Sequence, residues 1–296
     1  MPINVLNIDC SLNFCAFGDC FRELSYVQTV CCFMLVIINA KQLGGKMIRI
    51  EGSLEDNYVN CDESVTITGV IDGKDNKIIV GKFNSKANIS LNIHGSNNTV
   101  FIDSSDYTIK SLKIDIGNFN HANNVKLLIG KNFQCSQTVF FLYNPSTELL
   151  IGDSCMFSNG ITIRLGELPH LIFDKSTKNY IDLTEGVYIG SHVWIGEGVY
   201  VTKKASIPEG CVVAAKSVVT KRFTTPNCVL AGNPAKEAKV GIEWIKNRGY
   251  CKSHNSELSL IFEDYYNQAM QYDSQKIENY EEFIETQRLY LKSKNK

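Results

Sequence analysis

Six consecutive hexads, IGSHVW, IGEGVY, VTKKAS, IPEGCV, VAAKSV and VTKRFT, run without a break from Ile189 to Thr224. Each opens on an aliphatic residue (Ile189, Ile195, Val201, Ile207, Val213, Val219), and the fifth place holds Val193, Val199, Ala205, Cys211, Ser217 and Phe223. Neither an amphipathic helix nor an alternating strand has this period. It suits a short strand and a turn in every hexad, three hexads closing one triangular coil of about 18 residues, with the coils stacked as a parallel β-helix. Small fifth-place residues fit the crowded corners, and each opener stacks on its counterpart about 4.8 Å away along the axis. Phe223 departs from the small-residue rule where a coil should give way to a cap.

Upstream the period lengthens. Gly52, Gly73, Gly95 and Gly117 lie 21, 22 and 22 residues apart, and Asn76, Asn98 and Asn120 keep step with the last three. This spacing predicts longer, irregular coils of the same β-helix, with glycine where a corner needs positive φ and asparagine tolerated at turns. The shorter period returns at IGKNFQ from Ile129 and continues through IGDSCM, FSNGIT and IRLGEL. Ile163 and Ile189 are then 26 residues apart, not a multiple of six. The segment PHLIFDKSTKNYIDLTEG is therefore read as an insertion looping out from the wall, the kind of place where chemistry tends to sit.

The ends read differently. Residues 1–46 are Cys-rich and free of repeats, and are expected to stand outside the fold, either as a leader ahead of a start at Met47 or as a docked extension. The apolar run Val30–Ile38 is shorter than the roughly 20 residues that span a bilayer. Residues 47–230 are expected to form the β-helix. In 231–296, AGNPAK reads as an exit turn, 235–247 as helical around Ile242, Trp244 and Ile245, and Glu257–Leu291 as two helices covering the end of the stack. A net charge of −1 excludes the basic balance of a nucleic-acid binder. The eleven cysteines contain no CxxC, so neither a zinc site nor a disulfide framework is expected, and a reducing cytoplasm is the simplest compartment.

The hexads, the histidine of the insertion, IGSHVWIG and AGNPAK together resemble the hexapeptide-repeat left-handed β-helix acetyltransferases, and within them the sugar and capsule O-acetyltransferases of the polysialic acid type. The resemblance covers residues 125–247 well and 48–124 more loosely. It implies a left-handed coil, against the usual crossover rule, together with acetyl-CoA as donor, a sugar or glycan hydroxyl as acceptor, and a homotrimer. It also implies that His170, heading HLIFD, is the general base. An imidazole with an ordinary pKa near 6.5 is matched to taking a proton from a weakly nucleophilic alcohol. Trp194, 24 residues downstream, is the implied second catalytic residue, its indole N–H orienting acceptor or thioester. Arg164, Glu167 and His192 are the candidates for acceptor contact, with Glu167 able to orient the imidazole.

For the donor, the resemblance places Ala214, Ala215, Lys216 and Ser217 in the groove wall, with Gly232, Asn233, Pro234 and Lys236 beside it. The basic residues of the same stretch, Lys203, Lys204, Lys216, Lys221, Arg222, Lys236 and Lys239, suit the CoA phosphates, with Lys221 chosen among them; a solvated face explains them equally well. Cys211 should point into the coil, which leaves direct attack rather than an acyl-enzyme. The same scaffold also supports N-acetylation of an amino sugar, or a non-catalytic binding platform. A zinc enzyme would need three imidazoles, and only His170 and His192 lie close together in the well-matched region.

Overall fold

A computed structural model of the protein describes residues 47–52 and 54–246, and beyond them 260, 261, 263, 264 and 267. The expected coils form. Between residues 186 and 219 every strand has two to four residues, and three strands close a coil. The first face carries Gly186–Ile189 and Ser206–Ile207, the second Trp194–Ile195 and Val212–Val213, the third Tyr200–Val201 and Val218–Val219. Like stacks on like in parallel: Ile189 on Ile207, Ile195 on Val213, Val201 on Val219. All six hexad openers are buried, as are the fifth-place residues, Cys211 and Phe223 included. Parallel strands buried on the inner face hold a continuous apolar column, in which Phe133 and Phe157 meet edge to face at 5.0 Å.

The glycine after an opener answers to close approach rather than to φ. A Cβ on Gly152 would lie 2.6 Å from the Ser191 nitrogen of the next coil. Gly73 answers to both demands, with φ 141° and the Gly95 carbonyl 2.0 Å from a Cβ built there.

In the longer coils the second and third faces merge. Gln134–Leu142 is one nine-residue strand whose start pairs with Met156–Phe157 and whose later part pairs with Ile161–Arg164. The asparagine column is real but displaced. Asn57, Asn76 and Asn98 stack, Asn57 Oδ1 accepting from Asn76 and Asn76 Oδ1 from the Asn98 amide, while Asn98 Oδ1 accepts from the Val125 amide. Asn120 is exposed instead, because the third coil has a longer corner there: Thr99 pairs with Lys126, against Lys77 with Thr99 one coil before.

Past the last hexad, Cys228–Ala231 adds another rung on Val212–Val213. One correction concerns the C-terminal end: the helix expected over 235–247 does not form in its described part, because Lys236–Val240 turns back antiparallel on Cys228–Ala231 and 241–246 continues as a strap that is neither helix nor strand. The antiparallel strand covers the open edge of the last rung, and with every side chain exposed it offers no apolar period. The two helices expected over Glu257–Leu291 fall almost wholly outside the described residues, as does the segment 1–46. Among the described residues no helix is long and apolar enough to cross a membrane.

Candidate active site

The insertion leaves the edge between the third and first faces. Residues 165–185 lie between Ile161–Arg164 and Gly186–Ile189, and Ile151 pairs with Ile189 across them. The segment folds as a hairpin arm: Phe173 bridges Tyr180, Ile181 N–H donates to the Ile172 carbonyl at 3.0 Å, and Asp174 N–H to that of Asn179 at 2.9 Å. Asp174 closes the tip by accepting from Ser176 and Thr177, and these bonds lower its pKa to about 2. The arm is rooted on Asp182, whose carboxylate takes the Glu167 amide at 3.1 Å and the Tyr180 hydroxyl at 3.3 Å and is ion-paired with Lys203.

His170 stands at the head of this hairpin, exposed, its amide on the Glu167 carbonyl. Glu167 does not orient it: the Glu167 carboxylate accepts from Arg164 Nε at 2.8 Å, and the Arg164 guanidinium lies over Phe141 and Tyr143. These two candidates for acceptor contact thus brace the root of the arm. Lys203 belongs to the same root and is a structural charge rather than a phosphate ligand, because its partner Asp182 is buried.

Trp194 lies on the second face, across the triangular section from the arm's edge. Its indole is 36% exposed, and its N–H is spent on Ser158 Oγ at 3.2 Å rather than pointing free toward an acceptor. His170 and Trp194 of one chain are therefore presented on opposite sides of the prism. His192, the third acceptor candidate, occupies the corner just before Trp194 with φ 55°.

All but one of the donor candidates come together on the edge between the second and third faces. The Ala214 amide donates to the Leu230 carbonyl and the Val218 amide to Gly232, so the exit turn packs against 214–218. Asn233–Pro234 is cis at this turn. Ser217 is a correction: it is buried, and its Oγ accepts from the Gly232 amide at 3.0 Å, so it holds the turn and faces no groove. Ala215, Lys216, Gly232, Asn233, Pro234 and Lys236 are exposed there, whereas Lys221 is a correction: it follows the third-face strand Val218–Val219 and is exposed at the corner between the third and first faces, its carbonyl taking the Ser206 amide. Lys216 and Arg222 carry ion pairs to Glu197 and Glu185, at 3.7 and 3.1 Å. Cys211 is buried, 3.4 Å from the sulfur of Cys228, as expected of a thiol with no acyl-carrying role.

From the sequence, Trp244 is expected only on a covering helix, and Lys246 is not singled out. Trp244 stacks on His192 and touches Trp194, and Lys246 is buried below it. No periodicity marks either residue.

No family model matches the chain. It is 32% identical over 142 residues to the polysialic acid O-acetyltransferase of Escherichia coli O1:K1 / APEC, an alignment that spans 45% of this chain and 45% of that protein. The crystal structure of the polySia-specific acetyltransferase NeuO superposes with a TM-score of 0.58 at 24% identity, covering 72% of this chain and 99% of the other. That of the polysialic acid O-acetyltransferase OatWY gives 0.50 at 27% identity, covering 69% and 89%. The fold is the left-handed parallel β-helix. In sequence and shape the chain resembles the hexapeptide-repeat acetyltransferases, and among them the polysialic acid type.

Proposed function

We propose that the protein transfers an acetyl group from acetyl-CoA to a hydroxyl of a glycan of the sialic acid class, in a site assembled between two copies of the chain within a homotrimer. One observation carries this reading: the arm bearing His170 and the face bearing Trp194 lie on opposite sides of one prism. Neighbouring copies packed around a common axis bring them together. The arm is suited to such docking, since Leu171, Ile172, Phe173, Ile181 and Leu183 are all exposed on it. The similarity to proteins named for polysialic acid supports the acceptor class.

The residues present fit a CoA donor. Lys216 and Lys236 are exposed on the edge formed by Ala214–Lys216 and the exit turn, where the small side chains of Ala214 and Ala215 leave backbone accessible. Acetyl-CoA supplies an acetyl thioester there. The imidazole of His170 takes the proton of the acceptor hydroxyl as its oxygen attacks the thioester carbonyl, and returns that proton to the departing thiolate sulfur. Trp194 holds the acceptor against the second face through its indole surface. No side-chain nucleophile is needed.

Thiol release from acetyl-CoA, measured with a panel of hydroxyl and amine sugars and sialic acid polymers, tests the activity; an O-acetyl product is cleaved by mild alkali. His170→Ala should lose about 10²- to 10⁴-fold. Co-expression of His170→Ala with Trp194→Phe, each inactive alone, should restore roughly a quarter of wild-type activity by random assortment of subunits. No restoration would refute a shared site, and full activity of His170→Ala would refute the base.

A further inference from the structure

The edge between the first and second faces is not bare. The strap 241–246 runs along it, starting where the Ile242 amide donates to the Asn227 carbonyl at 2.9 Å and ending on coils further down the stack. There Lys246 Nζ donates to the carbonyls of Asn132 and Cys155, at 2.8 and 3.5 Å, and lies 3.7 Å over the Tyr107 ring. Between these anchors Trp244 is only 7% exposed. Its ring lies flat on His192, centroids 4.1 Å apart and 3° from parallel. Two further bonds lock the pair: Trp244 Nε1–H donates to the His192 carbonyl at 2.9 Å, and His192 Nε2 lies 2.9 Å from the Trp244 carbonyl. A carbonyl only accepts, so Nε2 carries the hydrogen. Trp244 also meets the exposed Trp194 indole, 5.8 Å between centroids at 43°.

Trp194 sits on a strand of two residues, and among the described residues its indole gives its N–H to Ser158 and meets Trp244 with its ring. Without Trp244 the indole would lose this ring contact, and with it a restraint on its rotamer. We propose that Trp244, clamped to the His192 corner, is a positioning residue that fixes the Trp194 indole for acetyl transfer, so that the strap is part of the active site. This rests on the reading above, in which Trp194 works on the acceptor. The strap itself touches no reacting atom; its effect passes through Trp194.

The chain has only two tryptophans, so in Trp244→Phe and Trp244→Ala all indole emission comes from Trp194. The experiment uses the full chain with acetyl-CoA and a sialic acid polymer, comparing Trp194→Phe, Trp244→Phe, Trp244→Ala and His192→Asn below their melting temperatures. Phenylalanine keeps the stack and the ring contact, whereas alanine keeps neither. Asparagine tolerates the positive φ of His192 but removes its ring. The expected result is a kcat loss of about tenfold or more in Trp244→Ala and His192→Asn, within the range that small misplacements cost. KM for acetyl-CoA should stay near the wild-type value, and Trp244→Phe should recover most of kcat. Acrylamide should quench Trp194 more strongly in Trp244→Ala than in Trp244→Phe. If Trp194→Phe transfers normally, the role given to Trp194 falls and the inference with it. If Trp194→Phe is impaired while Trp244→Ala and His192→Asn keep full kcat, only the inference falls. Equal quenching in the two Trp244 variants overturns it regardless of activity, and should Trp244→Ala not fold, His192→Asn decides by the same kcat criterion.

Discussion

Replacing Lys246 with methionine takes a buried charge out of the strap while keeping most of its volume. Lys246 is 9% exposed, and burial lowers its pKa from 10.5 to about 8, with the neighbouring Cys155 acting weakly the other way. At 1.36 kcal/mol per pKa unit, holding the charged form in place costs at most about 3 kcal/mol. The direction is opposite to that of an ordinary lysine gaining a partner. Between pH 8 and 10.5 the unfolded chain keeps this proton and the folded chain has released it, so the unfolded state binds more protons and stability rises with pH across that window. Below pH 8 both states are charged and the contribution does not change. The assay is urea unfolding of wild type and Lys246→Met at intervals from pH 7 to 10.5. Titrations common to both proteins cancel in the difference, as does the constant loss of the bonds to Asn132 and Cys155. Wild type should gain up to about 3 kcal/mol on the variant over this range. If the strap opens before the coils do, the same sign appears in the exposure of Trp244, because linkage applies equally to a local opening. A difference that is flat with pH, or one in which wild type loses ground, would show that the ammonium is not desolvated and refute the argument.

Asp182→Ala removes a buried carboxylate from Lys203, the Glu167 amide and the Tyr180 hydroxyl, and should cost about 1–3 kcal/mol by leaving these groups without their shared acceptor; trypsin cleavage at Lys175 and Lys178 on the loosened arm should accelerate well before global unfolding. Asn98→Ala leaves the Ala122 carbonyl and the Val125 amide without their side-chain partner in a buried corner, and should lower the urea stability by about 2 kcal/mol or more, whereas Asn120→Ala, at an exposed position, should change it by less than about 0.5 kcal/mol.

How far the sequence could be read follows from where each constraint acts. Ile189, Ile195 and Val201 declare the coil because a hexad is a local unit and the next hexad repeats its environment. The arm shows itself in the same way, as the 26 residues that break the count before Ile189. Trp244 and Ile245 suggested a helix because apolar residues close in sequence fit a helical face. Trp244 serves instead as a contact along an edge, stacked on His192 of a coil far back in the sequence, and no period records that. Lys203 looked like part of a phosphate-binding run, yet its partner Asp182 lies on the arm.

From its amino acids alone this chain was bound to stack as a three-sided parallel coil with one long insertion, since a repeating pattern of buried openers and tight corners has few other ways to hide its apolar side chains. Tertiary structure decided what the pattern does not contain. It set His170 and Trp194 on opposite sides of the prism, bound Glu167 to Arg164 instead of His170, turned Ser217 inward, and laid Trp244 on His192. The Trp244 stack joins residues 52 apart in sequence, and even the shorter contacts take a geometry that exists only once the coils have closed.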